Sequence, residues 1–349
     1  MNLQETLEKI QPLDERMMEV TRKRWDSIAH PLHSLGLFED VLVEIAGMTR
    51  SQDMDYKKKA LVTMCADNGV VEEGVTQTGQ EVTAIVAENF LVEQATASIL
   101  CRECGADIYP VDIGMVTDTK VPRHKVAYGT KNMAKEPAMT REEAVEALEV
   151  GIHMAEELVA RGYRMLATGE MGIGNTTTSS AVASVLLEEP VEKMTGRGAG
   201  LSSEGLEKKI HTIKKAIALH QPDKKDAIDV LSKVGGLDIA GMAGVCLGAA
   251  ALQVPVVIDG FISGVAALVA ARICPAASGY IIASHVSKEP AAQLILEAMD
   301  KRAFLHADMH LGEGTGAVTL FPLLDMAAAI YNSMSTFQEI NVEEYQHLK

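Results

Sequence analysis

The 349-residue chain has few aromatic residues, few cysteines and fewer basic than acidic residues. Aromatic side chains make up only 4% of the sequence, so a buried core must be built from aliphatic residues and methionine. The formal net charge of -16 excludes a broadly basic surface, and we therefore expect no nucleic-acid partner. The five cysteines, an odd number, are expected to be reduced thiols.

Targeting signals and uninterrupted apolar runs of membrane-spanning length are also missing. Residues 1–24 are charged throughout and contain no apolar segment typical of a signal peptide. The apolar stretch 239–271 is interrupted by Asp259 and several glycines, which is typical of buried strands and helices. We expect a cytoplasmic protein that has no membrane partner.

Apolar runs alternate with helical patterns along most of the chain. The runs predict buried strands at 59–66, 106–114, 163–170, 254–260 and 279–285. Helical patterns lie between or after them, at 80–102, 140–161, 202–220, 240–253, 262–273 and 289–299. This alternation predicts an α/β fold with a mainly parallel, Rossmann-like sheet flanked by helices.

The two ends of the chain predict a second, smaller unit. Apolar residues at helical spacing occur within residues 1–50, and another helical pattern covers 316–334. We expect residues 1–50 and 325–349 to form a small helical domain, and residues 51–324 to form a large α/β catalytic domain.

One loop near the end of the chain places a carboxylate between glycines. Glu313 lies within Leu-Gly-Glu-Gly-Thr-Gly at 311–316, where glycines permit unusual backbone angles and close approach of a ligand. Its neighbours are apolar, and a carboxylate in such surroundings needs a partner. We interpret Glu313 as a general base acting on a small molecule, with a surface turn as the alternative.

A second loop of this kind, 168–178, follows the third predicted strand. It contains Glu170, two glycines and a run of threonines before a helical pattern. Backbone N–H groups at a helix N-terminus bind phosphate, and threonine hydroxyls add donors. The loop is neither a Walker loop nor a complete dinucleotide fingerprint, so a simple helix cap is the alternative.

Acidic and hydroxyl side chains end or follow four of the predicted strands, at Asp67, Glu170, Asp259 and Ser284. Ligands of parallel sheets bind beyond the carboxyl ends of the strands, so we expect these residues to share one site. The acidic loop 67–76 is either a lid over this site or a solvated turn. Lone Cys-x-x-Cys and His-x-x-x-His pairs lack further ligands at suitable spacing, and no metal is predicted.

Taken together, these stretches resemble the nicotinate-nucleotide–dimethylbenzimidazole phosphoribosyltransferase family of cobamide (cobalamin) biosynthesis. The combination is specific to the family, although no single segment is. The matching segments span nearly the whole chain in the family's order, at 65–70, 169–177, 235–241, 257–261, 284–287 and 311–316.

The resemblance implies a glycosyltransferase that moves the phosphoribosyl group of nicotinate mononucleotide to a lower-ligand base. The products would be an α-ribazole phosphate type nucleotide and nicotinate, and no metal or organic cofactor is implied. Glu313 matches the catalytic base of the family, and Glu170 matches a second carboxylate near the ribose. The resemblance also implies a homodimer.

The other candidate site residues are substrate contacts implied by the same resemblance. Residues assigned to the 5′-phosphate are Gly174, Asn175, Thr176 and Lys209. Residues assigned to the nicotinate side are Ser287 and Gly312. The remaining substrate-binding candidates are Gly172, Thr177, Asp259, Asp67, Thr76 and Gln80.

The sequence departs from the common family pattern in the loop that contacts the base. Asn68 stands where the family often has histidine, and 76–80 replaces a stretch that usually contains serine and proline. The preferred acceptor therefore stays open between dimethylbenzimidazole, adenine and a phenol. Three alternatives remain: a subunit of a heterodimeric phenol or p-cresol transferase, a non-catalytic nucleotide-binding homologue, and a Rossmann-type oxidoreductase.

Overall fold

The structure is a computed structural model and describes residues 1–346. Its centre is a five-stranded sheet with the order β2-β1-β3-β4-β5, in which every neighbouring pair is parallel. The strands are β1 (Lys59–Ala66), β2 (Asp107–Gly114), β3 (Met165–Met171), β4 (Val256–Ile258) and β5 (Ile281–Ala283). The α/β prediction is confirmed. β1 has the predicted bounds: all eight of its residues are buried, which is why the strand could be recognised as a continuous apolar run.

Helices connect and flank the strands. They are α1 (Leu3–Lys9), α2 (Glu15–Ser27), α3 (Leu37–Thr49), α4 (Glu81–Leu91), α5 (Thr96–Cys104), α6 (Arg141–Ala160), α7 (Asn175–Leu187), α8 (Val191–Met194), α9 (Ser203–His220), α10 (Ala227–Val234), α11 (Leu237–Ala251), α12 (Phe261–Ile273), α13 (Ala292–Ala298) and α14 (Thr315–Ser333). Short 3₁₀ segments lie at Gly69–Glu73 and Pro275–Tyr280.

The start of α6 shows how local sequence determines a helix boundary. The Thr140 hydroxyl accepts a hydrogen bond from the backbone N–H of Glu143 at 3.1 Å. In return, the Glu143 carboxylate accepts one from the backbone N–H of Thr140 at 2.7 Å. This capping box satisfies two N–H groups that otherwise lack partners, and it confirms the predicted start of this helix.

Close packing of α6 on α11 supports one face of the sheet. A Cβ atom on Gly244 of α11 would lie 1.9 Å from the backbone oxygen of Leu148 in α6, so only glycine fits there. Almost every residue of α11 is buried, and the helix also contacts β1, β2 and β3. This tight helix pair gives the strands a rigid backing beneath the site.

The predicted single helix at 80–102 is wrong, because the chain leaves the helical conformation between α4 and α5. Glu93 has a φ of 55°, in the left-handed region that ends helices. Within residues 1–346, Glu81–Cys104 is the one segment with the length and mean hydropathy, 1.2, of a membrane span. The break divides it into helices of 11 and 9 residues, each shorter than the roughly 20 residues that a span requires.

The two ends of the chain pack together. Trp25 of α2 makes an edge-on contact with Tyr331 of α14, with ring centroids 5.2 Å apart. Ile28 forms an isolated antiparallel bridge with Thr336. Helix α14 runs unbroken through residue 325, so the two-domain division, which stays a prediction, has its second boundary inside a helix.

Candidate active site

A cavity of about 290 Å³ opens beyond the carboxyl ends of β3, β4 and β5. Both glycine-flanked glutamates, Glu170 and Glu313, contribute to its wall. The other predicted site residues on the wall are Thr76, Gly172, Gly174, Asn175, Thr176, Lys209, Asp259, Ser287 and Gly312. The structure thus brings together residues that are up to 237 positions apart, from Thr76 to Glu313.

Three predicted substrate contacts do not line this cavity. Asp67 is fully buried, and its carboxylate accepts a hydrogen bond from the backbone N–H of Val116 at 2.8 Å. The Gln80 amide donates to the backbone oxygen of Asn68 at 3.2 Å. Thr177 is buried within α7, whose first turns pack inside the protein. We correct these three predictions: none of the three side chains lies on the cavity wall, and those of Asp67 and Gln80 make hydrogen bonds to the backbone of neighbouring loops.

The Glu313 loop has an unusual backbone conformation. Glu313 has a φ of 61°, and both of its glycine neighbours have a φ of 94°. Left-handed geometry at a non-glycine residue costs roughly 1 kcal/mol or more and is found preferentially at functional sites. The loop lies against β3, where a Cβ atom on Gly169 would be 2.3 Å from the backbone oxygen of Glu313. Backbone packing therefore fixes where the Glu313 side chain leaves the chain.

The Glu313 side chain is itself oriented by a helix. Its Oε2 atom accepts a hydrogen bond from the backbone N–H of Ala97, in the first turn of α5, at 3.1 Å. Burial raises the pKa of Glu313, and the Ala97 hydrogen bond opposes this rise by favouring the charged form. The result is a partly buried carboxylate with a fixed direction and a raised proton affinity, as a general base requires.

Asp259 holds the same loop from its other side. Its two carboxylate oxygens accept hydrogen bonds from the backbone N–H groups of Gly316, at 2.7 Å, and Gly314, at 3.1 Å. Burial raises the pKa of Asp259 to about 7, while these N–H groups lower it. Each oxygen accepts from the N-terminus of α14, so Asp259 fixes the position of the Glu313 loop at the cavity wall.

Glu170 belongs to a buried pair of carboxyl groups bridged by one amide. The Nδ2 atom of Asn175 donates to Glu170 Oε2 in a short hydrogen bond, and to Asp238 Oδ2 at 2.9 Å. Burial, with the nearby negative charge of Asp238, raises the pKa of Glu170 to about 8. The Asn175 amide nitrogen is committed to this bridge, so a contact of Asn175 with phosphate, which stays a prediction, would have to use its backbone N–H.

The opposite part of the wall contains a buried lysine. Lys209 is 1% exposed, and its ammonium group lies 2.9 Å from the Thr176 hydroxyl and 3.2 Å from the backbone oxygen of Gly196. Burial lowers the pKa of Lys209 to about 8, and the charge of Glu289 opposes this fall. A buried cation at the N-terminus of α7 is a site for an anion, since both the ammonium group and the helix end attract negative charge.

Two loops meet over this part of the cavity. The Gln77 amide donates to the backbone oxygen of Gly200 in a short hydrogen bond. Arg197, in the second loop, donates to the backbone oxygen of Leu201 at 2.7 Å and lines the cavity. The loop predicted at 67–76 as a lid or a solvated turn is thus followed by a contact between Gln77 and the glycine loop 196–200, and its role as a lid stays a prediction.

Asp238, Arg197 and Glu289 were missed as candidate site residues in the sequence. The available signal for Asp238 was an acidic residue shortly after Gly-Gly, at the start of a helix that is otherwise apolar.

Within the part of the chain that the structure describes, no group of three or more His, Cys, Asp or Glu side chains could hold a metal ion. Cys101 and Cys104 are both free thiols on α5.

Comparisons with known proteins agree with this geometry. The chain matches the model of a phosphoribosyltransferase family, DBI_PRT, over residues 10–342. It is 48% identical over 345 residues to the nicotinate-nucleotide–dimethylbenzimidazole phosphoribosyltransferase of Acetivibrio thermocellus, with 98% of each chain covered. It is 47% identical over 352 residues to the enzyme of that name from Clostridium acetobutylicum, with 100% of each chain covered.

The fold is also that of a solved relative. The crystal structure of CobT from Thermus thermophilus superposes with a TM-score of 0.91 at 37% identity, covering 95% of this chain and all of that one. The fold and the site therefore define a phosphoribosyltransferase, an enzyme of the pentosyl-transferring class. The chain belongs to the nicotinate-nucleotide–dimethylbenzimidazole phosphoribosyltransferase family, which confirms the resemblance drawn from its motifs.

Proposed function

We propose that this chain transfers the phosphoribosyl group of nicotinate mononucleotide to a benzimidazole-type base, releasing nicotinate. The observation that carries the proposal is the placement of Glu313 and Lys209 on the wall of one cavity. Glu313 offers an oriented carboxylate for the acceptor, and Lys209 offers a buried cation for the nucleotide phosphate. The named activity of the relatives supports the same substrates.

The reaction that fits the site exchanges one C–N bond for another at the ribose. The acceptor nitrogen attacks the anomeric carbon while its ring N–H proton passes to the Glu313 carboxylate. The bond to the nicotinate nitrogen breaks, and its electron pair stays on the leaving ring. Inversion from the β-nucleotide to an α-product requires acceptor and nicotinate to lie on opposite faces of the ribose. Orientation of the two reactants supplies much of the rate acceleration.

Positive charge develops on the ribose as the nicotinate bond breaks, and buried carboxylates stabilise such charge. Glu170 lies at the end of β3, next to the Glu313 loop, and we assign this role to its ionised form. Thr176, Gly174 and Lys209 would bind the 5′-phosphate at the N-terminus of α7. Ser287 and Gly312 stay assigned to the nicotinate side.

The identity of the acceptor depends on the loop that carries Asn68 and Thr76. Thr76 lies on the cavity wall, whereas Asn68 is buried behind it. A neutral azole or purine would give up an N–H proton to Glu313, and a phenol would give up an O–H proton to form an O-glycoside. We propose dimethylbenzimidazole as the preferred acceptor, because the relatives are named for it.

We further propose a cytoplasmic homodimer. Large apolar side chains are exposed on α4, at its C-cap and on α14, including Ile85 at 59%, Val92 at 59% and Met326 at 61%. An apolar surface of this kind is typical of a protein interface. A heterodimer with a homologous subunit would use the same surface, and the mass of this chain purified alone distinguishes the two, because a homodimer has twice the mass of the chain.

The proposal is tested by a product assay. Purified protein is incubated with nicotinate mononucleotide and, separately, with dimethylbenzimidazole, adenine, phenol and p-cresol, and the nucleotides formed are identified by mass. Product from dimethylbenzimidazole supports the proposed transferase, and product from phenols alone supports the O-glycoside alternative. Nucleotide binding without any product would contradict catalysis and favour the non-catalytic homologue.

A further inference from the structure

We propose that Asp238 is a positioning residue for the transfer, which acts through the Asn175 amide to hold Glu170 against the Glu313 loop. The inference rests on the proposed function, in which Glu170 lies beside the ribose. It adds a residue that does not line the cavity and does not touch the substrate. The inference is supported by an unbroken series of polar contacts from Asp238 to the Glu313 loop, which involves four elements of the fold.

The series begins at the N-terminus of α11. Asp238 is fully buried; its Oδ1 atom accepts from the backbone N–H of Ile239 at 3.0 Å, and its Oδ2 atom accepts from Asn175 Nδ2 at 2.9 Å. The second hydrogen of the same Asn175 nitrogen goes to Glu170 Oε2. The other Glu170 oxygen, Oε1, accepts from the backbone N–H of Glu313 at 3.4 Å.

The loop 168–178 leaves room for the Asp238 side chain at Gly172. A Cβ atom on Gly172 would lie 2.7 Å from Asp238 Oδ2 and 2.5 Å from the backbone oxygen of Ala66. A glycine in the predicted phosphate loop is therefore needed so that this buried carboxyl group can reach Asn175. The same glycine also leaves room for the Ala66 backbone oxygen, so a Cβ atom at position 172 would disturb both the bridge and the end of β1.

Removing Asp238 would free Asn175 to rotate, because only one of its two acceptors would remain. Glu170 would then be held on one side alone, and a displaced carboxyl group stabilises a developing charge less well. The charged or titratable groups that act on Glu170 are Asp238 from α11, Asp259 from the loop after β4 and, from β1, the thiol of Cys65. Among these, Asp238 alone shares a hydrogen-bond donor with Glu170.

The experiment compares Asp238→Ala, Asp238→Asn, Asn175→Ala and the Asn175→Ala/Asp238→Ala double variant with the wild-type enzyme. We expect Asp238→Ala to lower kcat about 10- to 100-fold, with the KM for nicotinate mononucleotide changed less than about threefold. The double variant should lose no more than the worse single variant, because the two residues act in series. Asp112→Asn is a control for the loss of a buried carboxylate away from the site, since Asp112 lies on β2, which β1 separates from β3, and pairs with Lys125 at 3.2 Å.

The pH dependence of kcat provides a second test, because a residue with a purely structural role would not change the pKa that this profile reports. Asp238→Asn keeps the shape of the side chain but removes a negative neighbour, so the pKa of Glu170 falls and the acidic limb of kcat moves to lower pH. A wild-type kcat and an unmoved limb in both Asp238 variants would overturn the inference, as would multiplicative losses in the double variant. Absence of product from the wild-type enzyme would instead overturn the proposed function.

Discussion

The carboxylate of Glu313 accepts a hydrogen bond from the backbone N–H of Ala97, at a distance of 3.1 Å. These residues are 216 positions apart, and each is placed by an irregular feature of the chain. Glu313 has a left-handed backbone, and Ala97 is free to donate because α5 restarts after the break that follows α4. The proposed base is thus oriented by a helix end that the sequence pattern had not predicted.

Glu313→Gln should abolish most turnover while preserving nucleotide binding. The amide has nearly the same shape but cannot accept a proton from the acceptor, so kcat should fall by roughly 10²- to 10⁴-fold. Single-turnover product formation and calorimetric binding of nicotinate mononucleotide measure the two effects separately. Near-normal turnover would remove Glu313 from the role of base.

Ala97→Pro tests the hydrogen bond itself. Proline removes the N–H group that donates to the Glu313 carboxylate. The first turn of a helix tolerates proline, because the N–H groups there have no carbonyl partner in the helix. We expect kcat to fall by about 10-fold or more as the carboxylate loses its direction. Thr96→Pro, one position earlier in the same turn, is the control and should retain activity. Equal activity of the two variants would show that the contact does not orient the base.

Lys209→Ala should raise the KM for nicotinate mononucleotide more than it lowers kcat. In the proposed assignment the buried ammonium group would contact the phosphate in both the ground state and the transition state, so its loss should weaken binding throughout. Lys208→Ala is the matched control, since Lys208 precedes it on α9 but is exposed. An unchanged KM in Lys209→Ala, or an equal rise in Lys208→Ala, would remove Lys209 from the phosphate site.

The same lysine predicts a pH dependence of binding. Burial lowers the pKa of Lys209 to about 8, so the free enzyme progressively loses this cation as the pH rises above that value. The KM for the nucleotide should therefore increase from neutral to alkaline pH. In Lys209→Arg the guanidinium stays charged, and the increase should be absent. Measuring KM across this range in both enzymes checks the prediction, and identical profiles would contradict it.

Much of the fold could be predicted because the strands of a covered parallel sheet are continuous apolar runs. β1 is the clearest case, since all eight of its residues are buried and its bounds match the prediction. The break at residues 92–95 could not be predicted in the same way. Its residues continue a helical pattern, and the left-handed turn at Glu93 is evident only in the folded chain.

The candidate site could be predicted where glycines flank a functional group, as at Glu313 and Glu170. The predictions failed where polar side chains face the protein. Asp67 is polar and follows a strand, as a ligand-binding residue would, but its carboxylate accepts from the backbone of Val116. Asp238 shows the converse, since its part in the site depends on a side-chain contact with Asn175 across the sheet edge. Such pairings depend on tertiary geometry, which one sequence does not encode in its local pattern.

The exposed apolar surface of α4 and its C-cap gives the last prediction. Ile85 and Val92 are each 59% exposed, although their segment is apolar enough to resemble a membrane span. If this surface is the homodimer interface, an Ile85→Asp/Val92→Asp double variant should be monomeric, because burying two unpaired carboxylates opposes association.

Light scattering after size-exclusion chromatography measures the mass of each enzyme. Leu219→Asp is the control, since Leu219 is also exposed, at 54%, but lies on α9. We expect the control to keep the wild-type mass and the double variant to have half of it. A dimeric double variant with wild-type activity would place the interface elsewhere. A loss of activity that accompanies dissociation would show that the α5 end, which orients Glu313, depends on the partner subunit for its position.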